Sequence, residues 1–338
     1  MTQLAVRPLH SDEYNAWNEV VRLAPGGNCF QQADWLEMLC ATDEDLRPLL
    51  LGCFTEAGQL VGGQALIYHR RWGMNLTPVF EFFYNSPLTP PPVGKKSAKP
   101  DAVAAALIAA LPAWLNWAAF ETHPDGDDIR PYLYAGWQAT PLYTHLWHMG
   151  AADDIWQRMN REKRREIRRA QEQYQFGVAG ETAVLDEFLP LYRQTMQKFS
   201  WWPSPKWEAI FRQRFAWMQA RDGCRLHTVR EQNGRLLAGV ITLVSRADQT
   251  AYLWRQGSAD PAVVPALYWF AAQEVSHTCP IINFGGSPLP SLNWFKEALA
   301  TTAVPHFRLQ WDGSNGRYAL FQQALRLKHR AYNAAKKL

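Results

Sequence analysis

A double glycine and a lysine lie close together near the end of the chain. Residues 282–287 (INFGGS) are typical of a strand that ends in a turn, and residues 294–296 (WFK) follow on a short predicted helix. Glycines let a ligand approach the backbone closely, and amides at such a turn can face an anion or a developing oxyanion. Lys296 shares a helix face with Leu292 and Leu299, which predicts a partly enclosed ammonium that acts as a poised cation or a proton donor. The alternative is a tight turn followed by a lysine whose stem covers apolar surface.

A strongly basic helix is predicted over residues 153–174. An apolar stripe recurs along one side at i+3 and i+4 spacing: Trp156, Met159, Ile167, Ala170 and Tyr174, with Lys163 in the gap. Arginines crowd the opposite side, and residues 158–173 hold seven basic and three acidic side chains. An arginine face binds phosphates through paired hydrogen bonds, as a nucleotide or an RNA backbone requires. The alternative is a solvated helix with the ion pairs Arg158–Glu162 and Glu166–Arg169.

The charge is distributed unevenly along the chain. The formal net charge is only +4, yet residues 1–150 hold 9 Lys/Arg and 15 Asp/Glu, whereas residues 151–338 hold 26 and 16. This asymmetry favours an anionic partner for the second half, unless the basic residues simply form solvated helix faces. With 47% hydrophobic and 20% charged residues, the composition excludes general disorder.

Other features restrict the class of protein. The five cysteines are odd in number and form no CxxC pair, so we expect reduced thiols in a cytoplasmic protein. His145 and His148 have a spacing that a metal could use, but without an evident third ligand no metal is expected. The N-terminus has no signal-peptide pattern, and the apolar run 102–120 contains Pro112 and Asn116. This run predicts a buried helix, and no transmembrane segment is expected.

Both halves of the chain show the same order of predicted elements. In each half two helices precede a hairpin, which residues 48–55 and 60–68 form in the first half. Asn233 and Gly234 form the hairpin turn of the second half. The hairpin is followed by a long helix, at 102–120 or 263–277, and by a strand, at 129–135 or 280–284. A short helix (292–300), a strand (304–311) and a C-terminal helix complete the second half.

This weak internal repeat predicts an α+β protein with two domains of one fold. The predicted boundaries are residues 1–150 and 151–338. Alternating βα units of a doubly wound sheet are not indicated.

The two motifs together resemble those of a known family. Residues 160–177 resemble the "R…IR+A…G" basic helix of the Fem-type aminoacyl and peptidyl transferases, and INFGGS…WFK resembles their "DFGGS/DFGRS…FK" signature. Residues 30–35 (FQQADW) are similar to a common family start. These transferases belong to the GNAT-like acyltransferase superfamily. The resemblance implies two tandem GNAT-like domains with mixed, mainly antiparallel sheets flanked by helices.

The resemblance also implies roles for particular residues. Lys296 matches the lysine of the FK pair, which binds the carbonyl end of the acyl donor, and it is the expected catalytic residue. Further residues are expected to bind the donor or substrate: Arg161, Arg164, Arg165, Arg168, Arg169, Gly285, Gly286, Ser287 and Trp294. The chain also departs from the family pattern. Asn283 replaces an aspartate, the FG that follows FK is missing, and neither half has the Q/RxxGxG/A loop that holds the pyrophosphate of acetyl-CoA.

The implied function is an N-acyltransferase that forms an amide between an aminoacyl or other acyl group and a primary amine. No permanently bound cofactor is expected. The missing pyrophosphate loop favours aminoacyl-tRNA as donor, with tRNA as a partner, while an acyl-CoA stays open. The acceptor would be an amine-bearing small molecule, a peptide or a cell-wall precursor, with the first domain as the acceptor-side lobe.

Two alternatives remain from the same residues. One is a non-catalytic nucleotide- or RNA-binding module on a degenerate GNAT-like fold. The other is an acetyl-CoA-dependent N-acetyltransferase, which would need a splayed strand pair with free amides in the second domain.

Overall fold

The chain forms two compact units. The computed structural model describes residues 4–77, 84–91, 98–124, 128–199, 203–287 and 289–335, without the side chains of residues 326 and 328–335. Unit 1 contains residues 1–142 and 306–338, and unit 2 contains residues 143–305.

Strands and helices of the described residues follow in chain order. The strands are β1 (Leu4–Pro8), β2 (Leu46–Thr55), β3 (Leu60–Arg71), β4 (Met74–Leu76), β5 (Leu115–Glu121), β6 (Gln138–His148), β7 (Gln175–Ala179), β8 (Cys224–Arg230), β9 (Leu236–Ser245), β10 (Thr250–Ser258), β11 (Ile281–Asn283) and β12 (Thr302–Asp312). The helices are α1 (Tyr14–Leu23), α2 (Ala33–Thr42), α3 (Pro100–Ala109), α4 (Arg130–Tyr134), α5 (Ala152–Arg158), α6 (Arg161–Gln173), α7 (Leu185–Gln197), α8 (Pro205–Gln219), α9 (Val264–Val275), α10 (Pro290–Ala298) and α11 (Arg317–Ala335).

The sheet of unit 1 has the strand order β1-β2-β3-β4-β5-β12. β4 and β5 are parallel, whereas the other neighbouring strands are antiparallel. Leu51 of β2, Leu66 of β3 and Val103 of α3 are buried together in one core cluster. Unit 1 therefore has a hydrophobic core of its own.

The apolar run 102–120, predicted as one buried helix, is a helix followed by a strand. α3 ends at Ala109 and β5 begins at Leu115, with Pro112 between them. Proline cannot continue a helix, and a strand buried on both faces has the same uninterrupted apolar composition as a buried helix. The predicted strand 129–135 is also wrong, because these residues form the short helix α4, whose first turn contains Pro131.

The C-terminal segment lies with unit 1, although the predicted second domain extends to residue 338. β12 pairs antiparallel with β5 over residues 308–312. Tyr318 of α11 stacks on Trp117 of β5, with ring centroids 4.4 Å apart, and Phe321 joins the same cluster. These contacts are distant in sequence, so the order of elements does not reveal them.

The sheet of unit 2 has the strand order β6-β11-β10-β9-β8-β7. β10 and β11 are parallel, and the other neighbours are antiparallel. The β8–β9 hairpin is present as predicted, and Gly234 in its turn has a φ of 89°. Every residue of β9 is buried, since α7 and α9 both pack against it.

The predicted internal repeat is confirmed. Unit 1 follows the order β1, α1, α2, β2, β3, β4, α3, β5, and unit 2 follows β7, α7, α8, β8, β9, β10, α9, β11. In both units the last two strands are parallel neighbours in an otherwise antiparallel sheet. The molecule is therefore an α+β protein built from two tandem copies of one arrangement.

The predicted basic helix is interrupted. α5 ends at Arg158, and Asn160 caps α6 by accepting a hydrogen bond from the Glu162 amide (2.8 Å). Buried Met159 continues the apolar stripe through the break, which explains why the spacing predicts one continuous helix.

Ile167 and Ala170 anchor α6 in the core of unit 2. Both side chains are buried in a cluster that includes Trp269 and Ala272 of α9. This confirms the predicted apolar face and leaves the opposite face of α6 to its basic residues.

The described residues also bear on membrane-spanning helices and on the cysteines. No helix in the described part of the chain has the length and apolar character needed to cross a membrane. Cys53, Cys224 and Cys279 are buried free thiols.

We predict that Ile167→Ala lowers the free energy of unfolding by about 2–4 kcal/mol, because it leaves a cavity beneath α6. Exposed Gln171 lies one turn further along the same helix. Gln171→Ala, the matched control, should change stability by less than about 0.5 kcal/mol. Denaturant unfolding measures both, and equal losses would contradict the placement of Ile167 in the core.

Candidate active site

Lys296 is a buried cation near the end of α10. Its side chain is 8% exposed, and Nζ donates a hydrogen bond to the carbonyl oxygen of Gly285 (2.6 Å). Among the described residues, no carboxylate forms an ion pair with it. Burial lowers the pKa of Lys296 from its ordinary value of 10.5 to about 8. Since a buried charge without a counter-ion is costly, the site keeps a cation at neutral pH at the expense of stability.

The turn before α10 is organised by Asn283 at the end of β11. Its side-chain oxygen accepts hydrogen bonds from Thr144 Oγ1 (2.7 Å) and from the amide of Gly285 (2.8 Å). Gly285 has a φ of 65°, which favours glycine, and its carbonyl is the acceptor for Lys296. An aspartate at 283 could accept the same two bonds, but it would add a negative charge beside this turn. Asn283 keeps the turn and leaves the site without that charge.

Gly286 is required for a different reason. A Cβ at this position would collide with the backbone oxygen of Tyr143 on β6. Within the described residues, the amides of Gly286 and Ser287 donate no hydrogen bond, whereas that of Gly285 is occupied by Asn283. Gly286 is exposed and Ser287 is half-buried, so their two amides are available to a ligand.

Two polar side chains that the sequence analysis does not assign to this site lie beside Lys296. His145 on β6 is 2% exposed, and its Nδ1 is 3.0 Å from Thr301 Oγ1. Thr301 in turn donates to the backbone oxygen of Lys296 (2.9 Å). Burial, and then the charge of Lys296, lower the pKa of His145 from 6.5. The HLWH motif marks His145 only as a metal ligand, and no sequence signal connects it to a lysine 151 positions away.

Asn293 of α10 is also part of this group. Its Nδ2 donates to the backbone oxygen of Ser287 (3.1 Å), which ties α10 to the turn. Trp294, the next residue, is 68% exposed and makes none of the contacts that hold Lys296.

The predicted arginines lie apart from Lys296. Arg161, Arg165, Arg168 and Arg169 are exposed and Arg164 is half-buried. Arg168 lies over the ring of Trp156 at 5.5 Å, and none of the five arginines forms an ion pair with a described residue. Neither suggested pair forms here, since Arg158 binds Asp154 (2.8 Å) and Glu166 binds Lys163 (2.8 Å).

Two contacts join the basic helix to the lysine helix. The amide of Asn160, the N-cap of α6, donates to the backbone oxygen of Ala298 (3.0 Å). Lys163 lies over the ring of Phe295 at 5.8 Å from its centroid. The arginine face and the buried lysine are therefore on neighbouring elements, although none of the five arginines of α6 hydrogen-bonds to Lys296 in the described part of the chain.

β10 and β11 are splayed. They pair only from Thr250↔Ile281 to Tyr252↔Asn283, whereas β10 continues to Ser258 with a bulge between Leu253 and Arg255. The geometry that an acyl-CoA donor would need is thus partly present.

The start of α9 is a poor site for a pyrophosphate. Asp260 Oδ1 accepts the amide of Ala262 (2.9 Å), and Pro261 and Pro265 carry no amide hydrogen. A helix N-terminus binds anions through free amides and its positive dipole end. In this chain a carboxylate already occupies that position.

Comparisons with known proteins agree with this fold. Residues 157–268 match the family model described as an acetyltransferase (GNAT) domain. No curated protein matches the chain by sequence.

Solved structures share the arrangement over nearly the whole chain. FemX is 11% identical with a TM-score of 0.69, covering 94% of this chain and 99% of FemX. The C-terminal domain of a proposed lysylphosphatidylglycerol synthetase from Agrobacterium fabrum is 14% identical with a TM-score of 0.56, and the match covers 93% and 96% of the two chains. A tandem GNAT protein from the clavulanic acid biosynthesis pathway is 12% identical with a TM-score of 0.55, covering 92% and 99%. The chain has the Fem-like tandem GNAT fold, and the resemblance indicated by its motifs is confirmed.

The buried cation predicts a measurable pH dependence of stability. Below pH 8 Lys296 is charged in the folded and unfolded states, and burial of the charge lowers the free energy of unfolding. Between pH 8 and 10.5 the folded state loses this proton first, so the free energy of unfolding of the wild type should rise. At pH 7 the Lys296→Met variant should have a larger free energy of unfolding than the wild type. This difference should shrink by up to about 3 kcal/mol by pH 10.5.

Urea unfolding at several pH values tests this prediction. Lys198 is exposed, so Lys198→Met is the control. Its difference in free energy of unfolding from the wild type should not change with pH. A constant difference between Lys296→Met and the wild type would mean that Lys296 is not held as a desolvated cation.

Proposed function

We propose that this protein is an acyltransferase that forms an amide by moving an aminoacyl group from an activated donor to a primary amine. The observation that carries the proposal is the buried ammonium of Lys296, which has no carboxylate partner among the described residues and donates to the Gly285 carbonyl at the turn after β11. Such a group is ready to stabilise negative charge that develops on a carbonyl oxygen.

The proposed reaction needs no covalent enzyme intermediate. The amine nitrogen attacks the donor carbonyl carbon, and the carbonyl electrons move to oxygen, where the Lys296 ammonium stabilises the charge. The bond to the donor oxygen or sulfur then breaks, and the amine loses a proton. The ammonium has three N–H groups, of which the Gly285 carbonyl uses one, so two remain for the oxyanion.

Aminoacyl-tRNA is the donor that we propose. The five arginines of α6 form no ion pair with a described residue, and α6 contacts α10. Such arginines are suited to binding the phosphates of an RNA backbone. Asp260 at the start of α9 disfavours the pyrophosphate of a coenzyme. The name of the structurally similar proposed lysylphosphatidylglycerol synthetase is consistent with aminoacyl chemistry on this fold.

Acetyl-CoA is the second candidate donor. The GNAT family match and the splayed pair β10 and β11 favour it. A thermal-shift series with acetyl-CoA and desulfo-CoA tests whether the protein binds a CoA donor. Stabilisation by acetyl-CoA at micromolar concentration would identify acetyl-CoA, rather than aminoacyl-tRNA, as the donor.

We predict that binding of bulk tRNA weakens steeply with salt, with a log–log slope of about −0.7 to −0.9 per phosphate contact. Arg165→Ala and Arg169→Ala should each reduce the slope by about one contact. Arg193, which already pairs with Glu208, supplies the control Arg193→Ala. Filter binding between low and physiological salt measures the slopes. Salt-independent binding would exclude the arginine face as the tRNA-binding surface.

We predict that Lys296→Ala lowers kcat by about 10²–10³-fold, the usual effect of removing one oxyanion donor. Lys296→Arg should recover little activity, because a planar guanidinium does not replace a compact ammonium in a buried site. The assay uses a bulk aminoacyl-tRNA pool with hydroxylamine as a small acceptor and quantifies the hydroxamates. Because Lys296 is buried, Lys296→Met serves as a second variant that retains the apolar stem. Wild-type kcat in all three variants would contradict a role of Lys296 in the reaction.

A further inference from the structure

α11 carries apolar side chains on two sides. Tyr318, Phe321 and Leu325 pack against the sheet of unit 1 in one cluster. Leu320 and Leu327 lie outside this cluster, and they are 66% and 64% exposed. They are two helical turns apart, so both lie on the same side of the helix. A surface helix normally has a single apolar stripe, which faces the core. The side with Leu320 and Leu327 is therefore a second one, which unit 1 leaves uncovered.

An exposed tryptophan lies beside this helix. Trp72 and Gly73 form the turn between β3 and β4, and their φ angles are 49° and 69°. A turn with positive φ at both residues favours Asn-Gly and is unfavourable for a bulky side chain. The Trp72 ring makes an edge contact with Phe321 (5.1 Å between ring centroids), yet Trp72 is 65% exposed. The fold therefore gains little from a tryptophan at this position.

The same surface is positively charged. Arg71 and Arg317 are exposed, and neither forms an ion pair with a described residue. Arg317 Nη2 lies 3.5 Å from the backbone oxygen of Trp72, so the start of α11 adjoins the turn. Residues 317–338 hold six Lys/Arg and no Asp/Glu. The name α11 surface is used below for Arg71, Trp72, Arg317, Leu320 and Leu327.

Exposed apolar side chains among basic ones fit a partner that is both apolar and anionic. A second copy of the chain would bring the same positive charges to the interface, and like charges repel. The phosphates of an RNA would pair with the arginines but would leave Leu320 and Leu327 without apolar partners. A bilayer with anionic lipids satisfies both needs. Its headgroups attract basic side chains, its acyl chains accept leucines, and tryptophan is favoured at the boundary between them.

We propose that the α11 surface binds a lipid bilayer that contains anionic lipids. One side of α11 stays packed on unit 1, while Trp72, Leu320 and Leu327 enter the boundary between headgroups and acyl chains. This is attachment to a membrane surface, and it requires no spanning helix. The inference is independent of the proposed function, because the α11 surface includes no residue of the candidate active site. It can fail while the acyltransferase function stands.

Co-sedimentation with vesicles tests the proposal. The full-length protein should bind phosphatidylcholine vesicles in which a third of the lipid is phosphatidylglycerol, and it should bind far less to pure phosphatidylcholine. Because the attraction is partly electrostatic, binding should weaken as salt is raised. Absence of binding to the anionic vesicles at low salt, or equal binding to both kinds of vesicle, would overturn the proposal.

Substitutions locate the contact on the protein. Leu320→Gln combined with Leu327→Gln should weaken binding to the anionic vesicles by about tenfold or more, because two apolar side chains no longer enter the bilayer. Arg317→Gln removes one attractive charge and should weaken binding by up to about fivefold. Leu133→Gln is the control, since Leu133 of α4 is 44% exposed and lies outside the α11 surface. Wild-type binding by the double variant, or an equal loss in the control, would contradict the assignment.

Trp72→Asn distinguishes a role in binding from a role in the fold. Asparagine suits the positive φ of this turn, so the variant should unfold in urea with at least the wild-type free energy of unfolding. Its binding to the anionic vesicles should nevertheless fall. A purely structural tryptophan would give the reverse, with a loss of stability and unchanged binding.

Two other occupants of the α11 surface are outcomes of the same variants. Sedimentation equilibrium without lipid would identify an interface between copies if the wild type is a dimer and the double leucine variant a monomer. RNA would be the partner if the double variant loses binding of bulk tRNA while the wild type does not bind anionic vesicles. Either result would overturn the membrane proposal.

Discussion

The hydrogen bond from the Lys296 ammonium to the Gly285 carbonyl is the contact around which unit 2 arranges its polar groups. It requires a turn that presents a carbonyl inward, and Asn283 and the positive φ of Gly285 provide that turn. It also requires α10 to be held firmly. Trp147 Nε1 donates to the Leu299 backbone oxygen (2.9 Å), and the Asn160 amide donates to that of Ala298. The stability lost by burying the cation is offset by the apolar cluster around these anchors.

The two units show how far one arrangement can diverge in chemistry. β5 and β11 are equivalent parallel strands, yet the polar residue at the end of each has different partners. Glu121 of β5 contacts His306 Nε2 (3.3 Å) and pairs with Arg308, whereas Asn283 of β11 organises a neutral turn. A shared fold therefore does not imply a shared function for the two units. Lys296 belongs to unit 2.

Local signals in the sequence predict the structure best. The Asn233-Gly234 turn and the double glycine followed by a lysine depend on neighbouring residues, and all are found where predicted. The periodic apolar face of α6 was also predicted correctly. Errors occurred where several structures share one pattern. A buried strand and a buried helix are both apolar runs, and the break between α5 and α6 leaves the apolar stripe continuous.

The remaining parts of the site could not be predicted because they are distant in sequence. Thr144 and His145 lie on β6, and they meet α10 only through the pairing of β6 with β11. Thr301 and Asn293 are ordinary polar residues whose importance depends on which atoms already have partners. A sequence states which donors and acceptors exist, whereas only coordinates show which of them are satisfied.

Gly286 has a consequence for how this site can change during evolution. The atom that excludes a side chain at 286 is the backbone oxygen of Tyr143, which every residue type at 143 would also carry. No compensating side-chain replacement at 143 can therefore create space, and only a displacement of β6 itself would do so. Because β6 also carries Thr144 and His145, such a displacement would move both from their partners. The glycine is thus coupled to the polar site through the main chain, and the two can be altered only together.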